Sequence, residues 1–179
     1  SSGYLPSDEE LKSEKNRANF SFGQGSLLAT PLQISGLINM IASKGEYSEP
    51  KLVKGLVNEN LKFINSCDKA KKKRVLSEQT AEKLKKYMKA SIDYGTSLKG
   101  RPENMEACAK TSTAETGIKD GDRSIIQAWY AGFFPLDKPK YCIVILSEDA
   151  VRGGGDSCGP VFKEIVDKMQ SDLKELFLD

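Results

Sequence analysis

The spacing of turn signals in the second half of the chain limits the fold more than any other feature. Asp120-Gly121 and the prolines Pro135 and Pro139 divide it into three strand-like runs, near residues 107–116, 124–134 and 140–147. The links between these runs are shorter than the roughly dozen residues that a parallel crossover needs. They read as an antiparallel three-stranded meander. After Pro160, the residues Phe162, Ile165, Val166, Met169, Leu173 and Leu176 recur at helical spacing. A closing helix should therefore lay one apolar face on the sheet. The fold class expected is α+β, an antiparallel sheet packed with helices.

The first half supplies those helices. Thr30-Pro31-Leu32-Gln33 reads as a capped helix start, with Thr30 and Gln33 as a capping box and Pro31 at the first helical position. Ile34, Leu37, Ile38 and Ile41 then form an apolar stripe, and Lys44-Gly45 ends the run. Ser77 starts a second helix, with Ala81, Leu84, Met88 and Ile92 on its apolar face and Gly95 at its end. Between the two, residues 51–64 read as a hairpin turning at Asn58-Glu59-Asn60. The five basic residues in 69–74 read as a solvated loop, with an anionic polymer as a weaker alternative. Residues 1–20 are polar and mixed in charge, a loop with one short helical turn. Residues 96–107 form a loop leading into the first strand of the meander.

Several kinds of chemistry are excluded. The chain has 179 residues, enough for one domain, and a net charge of +2, so no global field argues for nucleic acid. The basic run has no aromatic interleaving either. No apolar run approaches the roughly 20 residues of a membrane span. With no histidine, Ser-His-Asp and Cys-His catalysis are ruled out. Cys67, Cys108, Cys142 and Cys158 are not at metal-ligand spacing. No cofactor and no metal is expected. Free thiols are favoured over a disulfide, with Cys108 and Cys142 as small buried hydrophobes.

The stretch with chemistry to offer is Ala109-Lys110-Thr111-Ser112-Thr113-Ala114-Glu115-Thr116-Gly117. Successive side chains of a strand face opposite ways, so Lys110 and Ser112 share one face and Thr111 and Thr113 the other. An ammonium beside hydroxyls suits a carboxylate, the first supplying charge and the second directed donors. The same residues also suit an ordinary threonine-rich edge strand guarded by a lysine.

Lys110-Thr111-Ser112-Thr113-Ala114 resembles the Lys-Thr-Gly-Thr-Ala box of penicillin-binding proteins, the serine DD-transpeptidases of bacterial cell-wall synthesis. Phe22-Gly23-Gln24-Gly25, followed by Thr30-Pro31-Leu32-Gln33, is similar to the family's Gly-Gln-Gly…Thr-Pro-Leu-Gln segment. Ala128-Trp129-Tyr130-Ala131-Gly132-Phe133 and Lys140-Tyr141-Cys142-Ile143-Val144-Ile145-Leu146 resemble the two strands after the box. Gly159-Pro160-Val161-Phe162-Lys163-Glu164-Ile165 resembles the start of the closing helix.

The resemblance implies a class B-like transpeptidase that binds D-Ala-D-Ala stem peptides and β-lactams through an acyl-serine intermediate. It places Lys110 as the catalytic cation and makes Thr111, Ser112 and Thr113 substrate-binding residues, with the Thr113 N–H in the oxyanion hole. Ser112 departs from the family's glycine, adding a small side chain where backbone normally approaches the ligand. A second departure is larger, because no serine is followed two places later by asparagine, so the family's Ser-x-Asn box is missing. Its Ser-x-x-Lys pattern occurs only from Ser48, Ser66 and Ser171, in settings unlike the motif's helix start.

Residues 1–179 are therefore expected to be the C-terminal portion of one transpeptidase domain, an incomplete penicillin-binding/β-lactamase-like fold. Such a portion would be inactive alone and would lack the nucleophile. The parent would sit on the extracytoplasmic face of the bacterial membrane, held by an N-terminal anchor. In the family the last strand pairs with one from the earlier part of the domain. Here residues 141–146 would offer an edge, to another copy or to a covering segment such as the N-terminal arm. The alternatives are a serine β-lactamase or β-lactam sensor, and a non-catalytic cell-wall scaffold.

Overall fold

Polar contacts shape the start of the chain in the computed structural model, which describes residues 2–66 and 70–172. A 3-10 turn, Glu10–Lys12, leads into helix α1, Glu14–Ser21. Nothing in α1 is buried. It is tied down by Asn16 and Arg17, whose side chains donate to the carbonyls of Glu10 and Leu11 at 2.9 and 3.3 Å. The one short turn expected here is thus two helical pieces. Polar side chains hold them, so no apolar periodicity announces α1.

Helix α2, Pro31–Ala42, begins at the capping box expected of it. The Gln33 N–H donates to Thr30 Oγ1 at 3.2 Å, and the Thr30 N–H donates to Gln33 Oε1 at 2.8 Å. Ile38, Met40 and Ile41 are buried, but Leu37, expected in the stripe, is 47% exposed. The stripe is narrower than the spacing suggests. Lys44 and Gly45 both take positive φ and end the helix.

Four short strands follow: β1 (Glu46–Ser48), β2 (Gly55–Val57), β3 (Phe63–Ser66) and β4 (Lys72–Arg74). They form two antiparallel pairs, β1 with β4 and β2 with β3. The second pair is the expected hairpin. In its turn, Asn58 Oδ1 accepts the N–H groups of Asn60 and Lys62, each at 3.0 Å. The first pair corrects the basic-loop expectation, since part of the run is an exposed strand. Arg74 explains the difference, bridging Glu46 Oε1 at 3.2 Å and donating to the Lys44 carbonyl at 2.8 Å. Cys67 and Lys69 lie outside the described residues.

Helix α3, Glu78–Tyr94, is capped by Ser77, which accepts the Thr80 N–H at 3.1 Å. Gly95 and a 3-10 turn, Leu98–Gly100, follow it. Then come β5 (Cys108–Asp120), β6 (Arg123–Phe134) and β7 (Tyr141–Ala150), the antiparallel meander in the order β5-β6-β7. The first strand runs on to Asp120 and the third to Ala150, past the ends expected of them. A four-residue helix α4, Gly154–Ser157, precedes the closing helix α5, Gly159–Asp172.

The sheet is packed on both faces. On one, Ala109, Ala128, Tyr130 and Phe134 meet Phe162 and Val166 of α5, with Met169 at the margin. Leu173 and Leu176 lie outside the described residues. On the other face, Cys108, Ala131 and Phe133 meet Ile38 and Ile41 of α2. Helix α3 contributes to both clusters, Ile92 to the first and Met88 to the second. Among the described residues β7 pairs with β6 alone. The N-terminal arm does not cover its edge, because Tyr4 pairs with Leu28 beside the entry to α2. Cys108, Cys142 and Cys158 are free thiols.

Candidate functional site

Strand β5 divides the Lys110–Thr113 side chains as alternation requires. Lys110 and Ser112 are exposed on the face that carries Cys108. Thr111 and Thr113 turn to the other face. There Thr111 is only 8% exposed, and its hydroxyl donates to Thr96 Oγ1 at 2.8 Å. Thr113 is exposed, and its Oγ1 accepts the Gly154 N–H at 3.4 Å.

The backbone is as informative as the side chains. Lys110 Nζ donates to the Thr111 carbonyl, and Gln24 Nε2 donates to the Thr113 carbonyl at 2.9 Å. Both carbonyls are thus aimed away from β6. In an antiparallel strand the N–H and C=O of one residue point to the same side. The N–H groups of Thr111 and Thr113 therefore face the outer edge of β5 as well. That edge combines a cation, hydroxyls and backbone donors within four residues. It can bind an anionic group and pair with an extended peptide laid along it.

Two parts of this arrangement lay outside the sequence reading. The first is Gln24, presented by a turn in which Gly23 and Gly25 both take positive φ, at 82° and 86°. The Gln24 N–H donates to the Asn19 carbonyl at 2.9 Å, fixing the turn on the end of α1. Gly23-Gln24-Gly25 was visible as a motif, but nothing in it points to a strand 89 residues away. The second is Gly153-Gly154-Gly155. A Cβ on Gly153 would come within 2.9 Å of Thr113 Oγ1. One on Gly154 would collide with the Trp129 carbonyl, and one on Gly155 with that of Thr96. Three glycines in a row signal such close approach. Lys99 and Asp156, paired at 2.7 Å, close the same corner, and the Lys99 ammonium holds the Asp156 carboxyl below its usual range.

The thiols near the site are not nucleophiles at neutral pH. Burial pushes the Cys108 thiol up to about 12 and raises Cys142 and Cys158 as well. None of the three Ser-x-x-Lys serines starts a helix among the described residues. Ser48 ends β1 and Ser171 lies in the last turn of α5, while Lys69 and Lys174, the lysines paired with Ser66 and Ser171, fall outside the description. No cluster of three or more metal-ligating side chains occurs among the described residues.

Residues 1–167 match the family described as penicillin binding protein transpeptidase domain. The chain is 34% identical over 136 residues to the peptidoglycan D,D-transpeptidase PbpA of Mycolicibacterium smegmatis, covering 76% of this chain and 26% of that protein. Its structure is similar to penicillin-binding protein 3 of Mycobacterium tuberculosis complexed with aztreonam, with a TM-score of 0.82 and 25% identity, covering 97% of this chain and 41% of that one. It is also similar to the ceftriaxone acyl-enzyme complex of penicillin-binding protein A from M. tuberculosis, with a TM-score of 0.73 and 28% identity over 83% of this chain and 34% of that one. The chain spans about a quarter of the length of that PbpA relative.

Proposed function

Because the chain belongs to the penicillin-binding protein transpeptidase family, we propose that it forms the substrate-binding side of a D,D-transpeptidase that cross-links peptidoglycan stem peptides. The observation that carries this reading is the outer edge of β5, where Lys110 stands beside the outward backbone of Thr111 and Thr113. The nucleophilic serine and its partner motifs come from an earlier part of the same domain, of which residues 1–179 are the C-terminal portion. An N-terminal anchor holds the protein on the outer face of the bacterial membrane. Among the described residues no helix is long and apolar enough to cross a membrane.

In this mechanism the serine oxygen attacks the carbonyl carbon between the two D-alanines and gives up its proton to the cleft's base. The Thr113 N–H stabilises the oxyanion that develops. The C–N bond then breaks, and the terminal D-alanine leaves with a proton on its amine. The amine of a second stem peptide attacks the acyl-serine ester and restores the hydroxyl. Lys110 offers its ammonium to the terminal carboxylate and to the proton network, and the hydroxyls of Thr111 and Thr113 donate to that carboxylate. Ser112 adds a hydroxyl on the Lys110 side of the strand. A β-lactam enters the same path and stops at the acyl-enzyme, the state in which the M. tuberculosis relative was captured.

Intact-mass analysis after incubation with excess penicillin tests the reading. The complete domain should gain one adduct per chain, and Lys110→Ala should slow its formation by at least a hundredfold. Residues 1–179 alone should gain none. A stoichiometric adduct on Ser48, Ser66, Ser112 or Ser171 would place the nucleophile within this chain.

A further inference from the structure

Thr111 stands opposite Tyr130 in the β5–β6 ladder, so the two side chains share a face. Tyr130 is fully buried, and its hydroxyl donates to the Ser97 carbonyl at 2.8 Å. Ser97 is fully buried too. Its N–H donates to the Ser91 carbonyl at 3.0 Å, and its hydroxyl pairs with that of Ser91 at 2.8 Å. The turn leaving α3 is therefore fastened to the sheet at Ser97, which leaves its neighbour Thr96 little freedom. Gly155 presses on Thr96 from the other side, too close to its carbonyl for any Cβ. In this setting Thr96 Oγ1 accepts the proton of the Thr111 hydroxyl at 2.8 Å.

Building on the transpeptidase reading, we propose that Thr96 is a positioning residue for carboxylate recognition and acts through Thr111. A threonine hydroxyl has one proton and two lone pairs. Without ligand, Thr111 gives its proton to Thr96. When a carboxylate arrives, that proton turns to the anion, because a charged acceptor makes the stronger bond. The Thr96 hydroxyl then turns its own proton back onto Thr111. The two oxygens keep their places and only protons rotate, so Thr111 Oγ1 needs no reorganisation to bind. If the Thr96 hydroxyl is removed, the Thr111 rotamer loses its anchor and its oxygen loses the donor that polarises it.

The test measures second-order acylation of the complete domain by benzylpenicillin and by its methyl ester, which lacks the carboxylate charge. Thr96→Val should slow acylation by the acid about tenfold or more and leave acylation by the ester within about threefold of wild type. Thr96→Ser should restore the acid rate. Thr96→Ala, which differs from valine in bulk, should show the same loss confined to the acid. In a Thr111→Val background, Thr96→Val should have no further effect, since it acts only through that hydroxyl.

Equal losses on acid and ester, or full additivity of the two substitutions, would make Thr96 a merely structural residue and overturn the proposal. So would a Thr96→Val protein that acylates like wild type. If benzylpenicillin does not acylate the wild type at all, the functional reading fails first and this one with it.

Discussion

A single buried thiol shows how strongly this fold acts on one side chain. Cys108 begins β5, two residues before Lys110, and is fully buried. Burial moves its ionisation from the ordinary 9.0 up to about 12, and the thiols of Cys142 and Cys158 move in the same direction. Above about pH 9 the unfolded chain sheds these protons while the folded chain keeps them. The stability these thiols contribute is therefore complete below about pH 9 and declines as pH rises towards 12. Urea unfolding should give a lower free energy at pH 10 than at pH 8. Cys108→Ala should flatten that decline by the share of one thiol, and an unchanged slope would show that Cys108 already ionises in the fold. The same burial should keep Cys108 unreactive towards alkylating reagents at pH 8 until the protein unfolds.

Among the elements, α2 was legible in the sequence and α1 was not. Thr30, Pro31 and Gln33 stop and start the backbone through local chemistry that needs no partner elsewhere in the chain. Thr30→Ala should cost about 1 kcal/mol, read as a lower urea midpoint with an unchanged slope. A loss below about 0.3 kcal/mol would mean that packing of Ile38 and Ile41 fixes the helix start without its cap. The meander was legible for the same kind of reason, since short links leave strands little choice of direction. The site was legible only in part. Alternation gave the faces of Lys110, Thr111, Ser112 and Thr113, but not that Thr96, Gln24 and three glycines surround them. Those contacts join residues 15 to 89 positions apart, and no local rule reaches that far.

At the scale of the whole molecule, the meander has two edges with different fates. The β5 edge is guarded at the box by Lys110 and Gln24, which donate to its outward carbonyls. Strand β7 pairs only with β6 among the described residues, and residues 142–146 along it are all apolar or sulfur-bearing. A strand of that kind is a template for another chain. Residues 1–179 in isolation should therefore self-associate, with a scattering mass that rises with concentration. A complete domain in which an earlier part pairs with this edge, as the family resemblance implies, should not. A monomer at all concentrations, with slow amide exchange along 142–146, would mean that the edge is already covered.

The alternation along β5 also has a consequence for the lineage that carries this chain. Thr111 is enclosed by a neighbouring hydroxyl and the glycine turn, so a side chain larger than threonine there disturbs the fold. Ser112 is exposed on the reverse face. Mutational drift can therefore sample position 112 at little risk to folding while position 111 stays closed to it. The one place where this box departs from the Lys-Thr-Gly-Thr-Ala pattern it resembles is such a position, and under the proposed function it is the site at which heritable variation in ligand preference can accumulate first.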